Sequence, residues 1–142
     1  MEFKNIHIGS LIEKRVLECE LDLGRICNFF KCSIEEVEKM YQLKSMDSEL
    51  ILRWSKLTDY DFFRVYSQHL ILYSPKAVNS SKVNTTNLPK FKKNIYTQEI
   101  IEFFLELINS GEKSKRQIIE EYNIPKTTLY KWIVKFPESH NV

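Results

Sequence analysis

The sequence predicts an all-α protein made of two small helical domains, and three observations support this fold class. With 3 glycines and 4 prolines among 142 residues, the chain has too few turn-forming residues for an all-β fold. Apolar residues recur at helical spacing through most of its length. Ser33 to Glu36 and Ser114 to Gln117 form capping boxes, which are typical of helix starts.

The predicted first domain covers residues 1–74 and contains five short helices. Ser33 and Asp47 are expected to cap the third and the fourth of them. A tight turn at residues 31–33 separates the second helix from the third. The residues whose spacing marks the five helices, in chain order, are Ile8, Leu11, Ile12, Val16 and Cys19; Leu23, Ile26, Cys27 and Phe30; Ile34, Val37, Met40 and Tyr41; Leu50, Ile51, Trp54 and Leu57; and Phe62, Phe63, Tyr66, His69, Leu70 and Tyr73.

Residues 75–95 are predicted to form a flexible basic linker between the two domains. Residues 1–74 hold 10 Lys and Arg against 12 Asp and Glu, whereas residues 75–142 hold 11 against 7. The first twenty linker residues contain five lysines, two prolines and no acid, and they show no helical period. Lys90, Lys92 and Lys93 are therefore predicted to lie along DNA phosphates.

The predicted second domain covers residues 96–142 and contains three helices. Thr97 is expected to cap the first of them, and Ser114 the second. Asn123 suits the left-handed turn that follows, and Pro125 fits the first turn of the third helix, where its missing N–H would have no partner. Two helices joined by so short a turn have the helix-turn-helix geometry, which presents one helix to the DNA major groove.

The third helix of this domain, residues 125–136, is predicted to be the element that reads DNA. It holds three lysines and no acid, whereas the two helices before it hold five glutamates. Ammonium and hydroxyl groups suit phosphate oxygens and base edges, and a threonine methyl can contact thymine. The predicted DNA-contacting residues are Lys126, Thr127, Thr128, Tyr130, Lys131 and Lys135 of this helix, together with Lys115 and Arg116 at the start of the preceding one.

Three motifs of the second domain carry a resemblance to a known family. They are Tyr96-Thr97-Gln98-Glu99, Ser110-Gly111-Glu112-Lys113-Ser114 and Tyr122-Asn123-Ile124-Pro125-Lys126-Thr127-Thr128-Leu129-Tyr130-Lys131-Trp132, and the part from Ile124 to Trp132 is the most specific. Together they resemble the helix-turn-helix of insertion-sequence transposases, a homeodomain-like family that binds the ends of mobile DNA. The resemblance implies that double-stranded DNA is a partner and makes a transposase catalytic subunit a second candidate partner.

The first domain shows a different resemblance. Its capped third helix and the segment Ser48-Glu49-Leu50-Ile51-Leu52-Arg53-Trp54-Ser55-Lys56-Leu57 resemble the lambda-repressor-like DNA-binding domains of small bacterial regulators. The helix that would read DNA in that family is Ser33-Ile34-Glu35-Glu36-Val37-Glu38-Lys39, and its three glutamates would repel phosphates. Two interpretations stay open for this domain, namely a second DNA contact or a module that forms a homodimer or binds a partner protein.

No catalytic, cofactor or metal site is predicted. The acidic residues form no recognisable catalytic constellation, and the isolated glycines form no phosphate-binding loop. Cys19, Cys27 and Cys32 lack the paired spacing of a four-ligand zinc site and are expected to be reduced thiols in the core. Residues 1–5 show no secretory signal, and no apolar stretch is long enough to cross a bilayer, so a cytoplasmic protein is expected.

These features predict a non-enzymatic, sequence-specific double-stranded DNA-binding protein, either a transcription regulator or a transposase-associated protein. The alternative is a protein–protein interaction module, adaptor-like or antitoxin-like, whose first domain dimerises or binds a partner. The DNA-binding interpretation requires that the lysine-bearing side of helix 125–136 is open to solvent.

Overall fold

The computed structural model describes residues 3–74, 87–89 and 96–137, and all regular secondary structure in these residues is helical. The all-α prediction is therefore confirmed for this part of the chain. The helices are α1 (Ile8–Glu18), α2 (Leu23–Phe30), α3 (Ile34–Tyr41), α4 (Ser48–Thr58), α5 (Phe63–Tyr73), α6 (Gln98–Asn109), α7 (Lys115–Tyr122) and α8 (Lys126–Lys135). They fall into two compact units, with α1–α5 in the first and α6–α8 in the second.

Side-chain caps determine where several of these helices begin. Ser33 and Ser114 each accept the backbone N–H of the third residue after them, at 3.3 and 3.2 Å. The side chain of that third residue in turn accepts the N–H of the serine at 2.8 Å in both cases. Asp47 and Thr97 also cap their helices as predicted. Because each cap contributes about 1 kcal/mol, these four residues fix the starts of α3, α4, α6 and α7.

One buried side of each helix from α1 to α4, together with Phe62, builds the core of the first unit. Its fully buried side chains are Ile8, Ile12, Ile26, Val37, Trp54 and Phe62. The ring of Trp54 lies 4.5 Å from that of Phe30 and 5.9 Å from that of Tyr41, measured between centroids. Full burial of a large apolar side chain contributes about 1.5–3 kcal/mol, so this cluster supplies much of the stability of the unit.

Gly9 allows α1 to contact the end of α3 at backbone distance. A Cβ atom at residue 9 would lie 2.3 Å from the carbonyl oxygen of Tyr41 and 2.6 Å from that of Met40. The N–H groups of Ile8 and Gly9 donate to the carbonyls of residues 44 and 43, at 3.2 and 2.9 Å. The first N–H groups of a helix have no partner within it, so this close approach satisfies two of them.

The core of the second unit is small and partly aromatic. Its fully buried side chains are Ile100, Phe104, Ile118, Ile124 and Leu129. The Phe104 ring lies 4.8 Å from Tyr122 and 6.3 Å from Trp132, again between centroids. Because Leu129 and Trp132 are both buried, the side of α8 that faces the core is fixed.

The turn between α7 and α8 matches the prediction except at Pro125. Asn123 ends α7 with φ 52° and ψ 39°, the left-handed conformation expected of it. Pro125 has φ −58° and ψ 136°, so it lies just before the helix and α8 begins at Lys126. The prediction that Pro125 occupies the first turn is therefore wrong, because the proline ring fixes φ but leaves ψ free to be extended. α8 also ends one residue before the predicted limit at 136.

The predicted linker lies largely outside the described residues. Of residues 75–95, the structure describes only 87–89, which are exposed. Lys90, Lys92 and Lys93 belong to the part that is not described, so their predicted contact with phosphates stays a prediction.

Candidate nucleic-acid interface

The solvent-facing side of α8 carries five of the eleven side chains that the sequence assigns to DNA. Burial of Leu129 and Trp132 turns the opposite side of the helix outward. Thr128 is only half-buried, because it lies one turn before Trp132 and flanks the buried side. The remaining assigned residues of α8 are all exposed: Lys126, Thr127, Tyr130, Lys131 and Lys135. The exposed side of α8 therefore presents cationic and hydroxyl groups to solvent, and α8 contains no acid.

Two lysines from different helices meet at the ring of Tyr130. The Nζ atom of Lys115 lies 5.4 Å from the ring centroid, and that of Lys126 lies 5.6 Å from it. A cation this close to an aromatic ring is attracted by the electron-rich face, typically by about 0.5–1 kcal/mol at an exposed site. Tyr130 thus gathers two ammonium groups around one phenol, and we name Lys115, Lys126 and Tyr130 the lysine–tyrosine cluster.

The lysines of this cluster stand at helix positions where their own helices disfavour a positive charge. Lys115 is the first residue of α7 and Lys126 the first residue of α8, and neither helix has an acid in its first turn. A helix N-terminus carries a partial positive charge. It stabilises an acid placed there by about 0.3–1 kcal/mol and destabilises a cation by a similar amount. α3, α4 and α6 follow the favourable pattern, with glutamates in their first turns. A bound anion would relieve the repulsion at both lysines.

α8 also begins without a side-chain cap. Pro125 stands at the cap position and accepts no hydrogen bond from the helix through its side chain. The first N–H groups of α8 are therefore left to other partners, and phosphate oxygens are well suited to them. These donors reinforce the positive potential that the lysine–tyrosine cluster produces at this end of the helix.

The two acids of α7 are paired with cations of the same unit. Arg116 donates through Nε to Glu120 at 2.8 Å, and this hydrogen bond raises the pKa of Arg116. Lys113 donates a hydrogen bond to Glu121, and this bond raises the pKa of Lys113. The Arg116 side chain is 87% exposed, so its ion pair can exchange the carboxylate for a phosphate. To contact DNA, Arg116 would therefore have to release its ion pair with Glu120.

Val134 is an exposed residue of α8 that the sequence interpretation left out. It is 79% exposed, more than any other large apolar side chain in the described part of the chain. It follows Thr127 by seven residues, Tyr130 by four and Lys131 by three, so it continues the same outward side of the helix. Its spacing from Thr127 could have revealed it, but an apolar residue in an amphipathic helix is first assigned to the core.

The corresponding surface of the first unit is acidic. Glu35, Glu36 and Glu38 of α3 are exposed, and Ile34 beside them is 48% exposed. Lys31, at the turn that precedes α3, has the left-handed conformation with φ 51°. Three carboxylates close to phosphates would oppose association with DNA, so α3 lacks the electrostatic character of α8.

The described residues contain no group of three or more His, Cys, Asp or Glu side chains that could hold a metal ion. Cys19, Cys27 and Cys32 are free and half-buried rather than fully enclosed. Burial raises the pKa of the Cys32 thiol, with smaller contributions from Cys27 and Glu36. This direction keeps the thiol protonated and makes it a weak nucleophile.

Comparison of the chain with models of known protein families, with curated proteins and with solved structures finds no match. None of the described helices is both long enough and apolar enough to span a membrane.

Proposed function

We propose that this protein binds double-stranded DNA sequence-specifically and inserts α8 into the major groove. The observation that carries the proposal is the outward side of α8, which exposes three lysines, Thr127 and Tyr130 and contains no acid. A B-DNA major groove about 12 Å wide admits one α-helix, and the groove edges offer acceptors for ammonium and hydroxyl donors. The second unit then acts as a helix-turn-helix domain of the transposase type, with α7 and α8 as its two helices.

In this proposal the lysine–tyrosine cluster holds a phosphate at the edge of the groove. Two ammonium groups, the uncapped N–H groups of α8 and the Tyr130 hydroxyl are all donors, and a phosphate supplies several acceptor oxygens. Such contacts position a protein on DNA without reading sequence, so base readout falls to the residues further along α8. The biological role is that of a transcription regulator or of a DNA-binding partner of a transposase catalytic subunit.

The test compares two double variants that change the net charge equally. Lys126→Glu with Lys131→Glu alters the proposed interface, whereas Lys4→Glu with Lys14→Glu alters exposed lysines of the first unit. Binding to labelled duplexes is followed by fluorescence anisotropy, first with a mixed-sequence duplex and then with sequences selected from a random library. We expect the first double variant to lose at least about 100-fold in affinity and the control to lose less than about threefold.

The interface variant should keep its fold, so that a loss of binding reports on the interface. Glutamate at position 126 is favoured by the helix N-terminus, and glutamate at position 131 can pair with Lys135 one turn later. Far-ultraviolet circular dichroism of both variants checks this expectation. Unchanged affinity of the interface variant would refute the assignment of α8 as the DNA-contacting helix. An equal loss of affinity in both variants would show that the loss comes from the changed net charge alone.

A second candidate function concerns the first unit, because its α3 exposes three glutamates and a partly exposed Ile34. This surface suits a protein partner or a second copy of the chain better than DNA. In that case the first unit serves as a dimerisation or adaptor module, and the second unit binds DNA. Light scattering after size-exclusion chromatography of the full chain distinguishes a dimer from a monomer.

A further inference from the structure

Val134 is the most exposed large apolar side chain among the described residues, and it stands on the side of α8 proposed to face DNA. Its side chain is 79% exposed and lies on the same outward side as Thr127, Tyr130 and Lys131. An exposed valine gains no burial energy, and its branched Cβ makes it a poorer helix former than alanine, lysine or glutamate. Neither packing against the described residues nor local helix stability therefore accounts for a valine at this position.

The surroundings of Val134 indicate the chemistry of that ligand. Lys131 lies one turn before it and Lys135 follows it directly, and both are exposed. An apolar protein surface would have to desolvate these two ammonium groups, whereas a polyanion is attracted by them. The ligand should thus combine phosphates with a small apolar group beside them.

We infer that Val134 contacts the C5 methyl group of a thymine in the major groove and contributes to the sequence preference of the protein. This inference rests on the proposed function. The thymine methyl is the apolar group that base pairs present in the major groove, and apolar side chains recognise it. Val134 lies about 10 Å beyond Thr127 along the helix axis, or about three base-pair steps, so it reads a different base pair from the one beside Thr127.

The experiment removes the methyl group from the DNA and the side chain from the protein separately. A duplex is first selected from a random library with the full-length wild-type chain. Each thymine is then replaced, one at a time, by deoxyuridine, which lacks only the C5 methyl. We expect one replacement to weaken wild-type binding about fourfold, which corresponds to one buried methyl group.

The Val134→Ala variant should bind the thymine and deoxyuridine duplexes equally at that position, and somewhat more weakly than wild type. Alanine favours the helix, so the variant should remain folded. The matched control is Leu17→Ala, which truncates another exposed apolar side chain, 73% exposed, in the first unit. The control variant should keep the fourfold preference for thymine.

The outcomes separate this inference from the function on which it rests. If selection succeeds but no deoxyuridine replacement matters, or if Val134→Ala keeps the full preference, the role of Val134 is refuted and DNA binding by α8 stands. If the library yields no preferred sequence, and the lysine variants described above bind like wild type, the proposed function fails and the inference fails with it.

Discussion

Replacing Gly9 by alanine should destabilise the first unit strongly, although alanine is the better helix former. The added Cβ would lie 2.3 Å from the Tyr41 carbonyl oxygen and 2.6 Å from that of Met40. Carbon and carbonyl oxygen normally approach no closer than about 3.3 Å, so α1 and the end of α3 would have to separate by about 1 Å. Both neighbours are backbone atoms, so no side-chain rotation can relieve the contact.

The size of the effect follows from what this separation would disrupt. The hydrogen bonds from Ile8 and Gly9 to residues 44 and 43, now 3.2 and 2.9 Å long, would be lost, at about 1 kcal/mol each. Overpacking adds about 1–3 kcal/mol, and the higher helix propensity of alanine returns at most about 1 kcal/mol. The free energy of unfolding of the first unit should therefore fall by about 3 kcal/mol, a large part of what a small domain has.

The two tryptophans of the chain allow each unit to be followed separately. Trp54 lies in the first unit and Trp132 in the second, so a Trp132→Phe background leaves a fluorophore in the first unit alone. Urea unfolding is measured for Gly9→Ala and for the control Lys14→Ala, which changes an exposed position of the same helix. If Gly9→Ala is as stable as its background, the close approach of α1 and α3 is wrong.

Three further predictions concern the second unit. Lys115→Gln should weaken binding to all duplexes alike and reduce the slope of log K against log salt by about 1, as measured by anisotropy over a salt series. Asn123→Gly should raise the urea midpoint, by about 0.5–1 kcal/mol in stability, because glycine adopts φ 52° without strain; a lower midpoint would contradict this conformation. The hydrogen bond that Lys113 donates to Glu121 raises the pKa of Lys113 above 10.5, so the pair stabilises the unit below that pH and its contribution is lost as the pH rises through the folded-state pKa. Urea midpoints between pH 8 and about 12 should therefore fall less steeply for Lys113→Met than for wild type.

The starts of the helices could be predicted from the sequence because they depend on local chemistry. A serine with a glutamate or glutamine three residues later closes a capping box within one turn, as Ser33 and Ser114 do. Pro125 could not be placed to the residue, because its φ suits both the cap position and the first turn, and only ψ distinguishes them. The contact of α1 with α3 at Gly9 was also not predictable, since it depends on how two helices pack.

Part of the candidate interface could also be predicted, because it too depends on local sequence pattern. Helical periodicity alone places Lys131 opposite Leu129, and the structure shows Lys131 exposed. Lys126 is three residues before Leu129 and therefore near the buried side, yet it is also exposed because it begins the helix. The meeting of Lys115 and Lys126 at Tyr130 depends on how α7 and α8 are arranged around their turn, which no local pattern specifies. Tertiary structure therefore adds the lysine–tyrosine cluster to a list of isolated cations.

The acidic surface of α3 provides a test of whether the first unit also lies against DNA. Replacing Glu35, Glu36 and Glu38 by glutamine removes three negative charges and keeps the capping box, because glutamine can take the place of Glu36 opposite Ser33. If α3 stays farther from the DNA than a Debye length of about 8 Å at physiological salt, affinity should change less than about twofold. If α3 lies in a groove, loss of the repulsion should raise affinity at least about tenfold and steepen the salt dependence. We predict the first result, because three exposed carboxylates on one helix would be a persistent cost at a phosphate surface, whereas they leave the surface free for a protein partner.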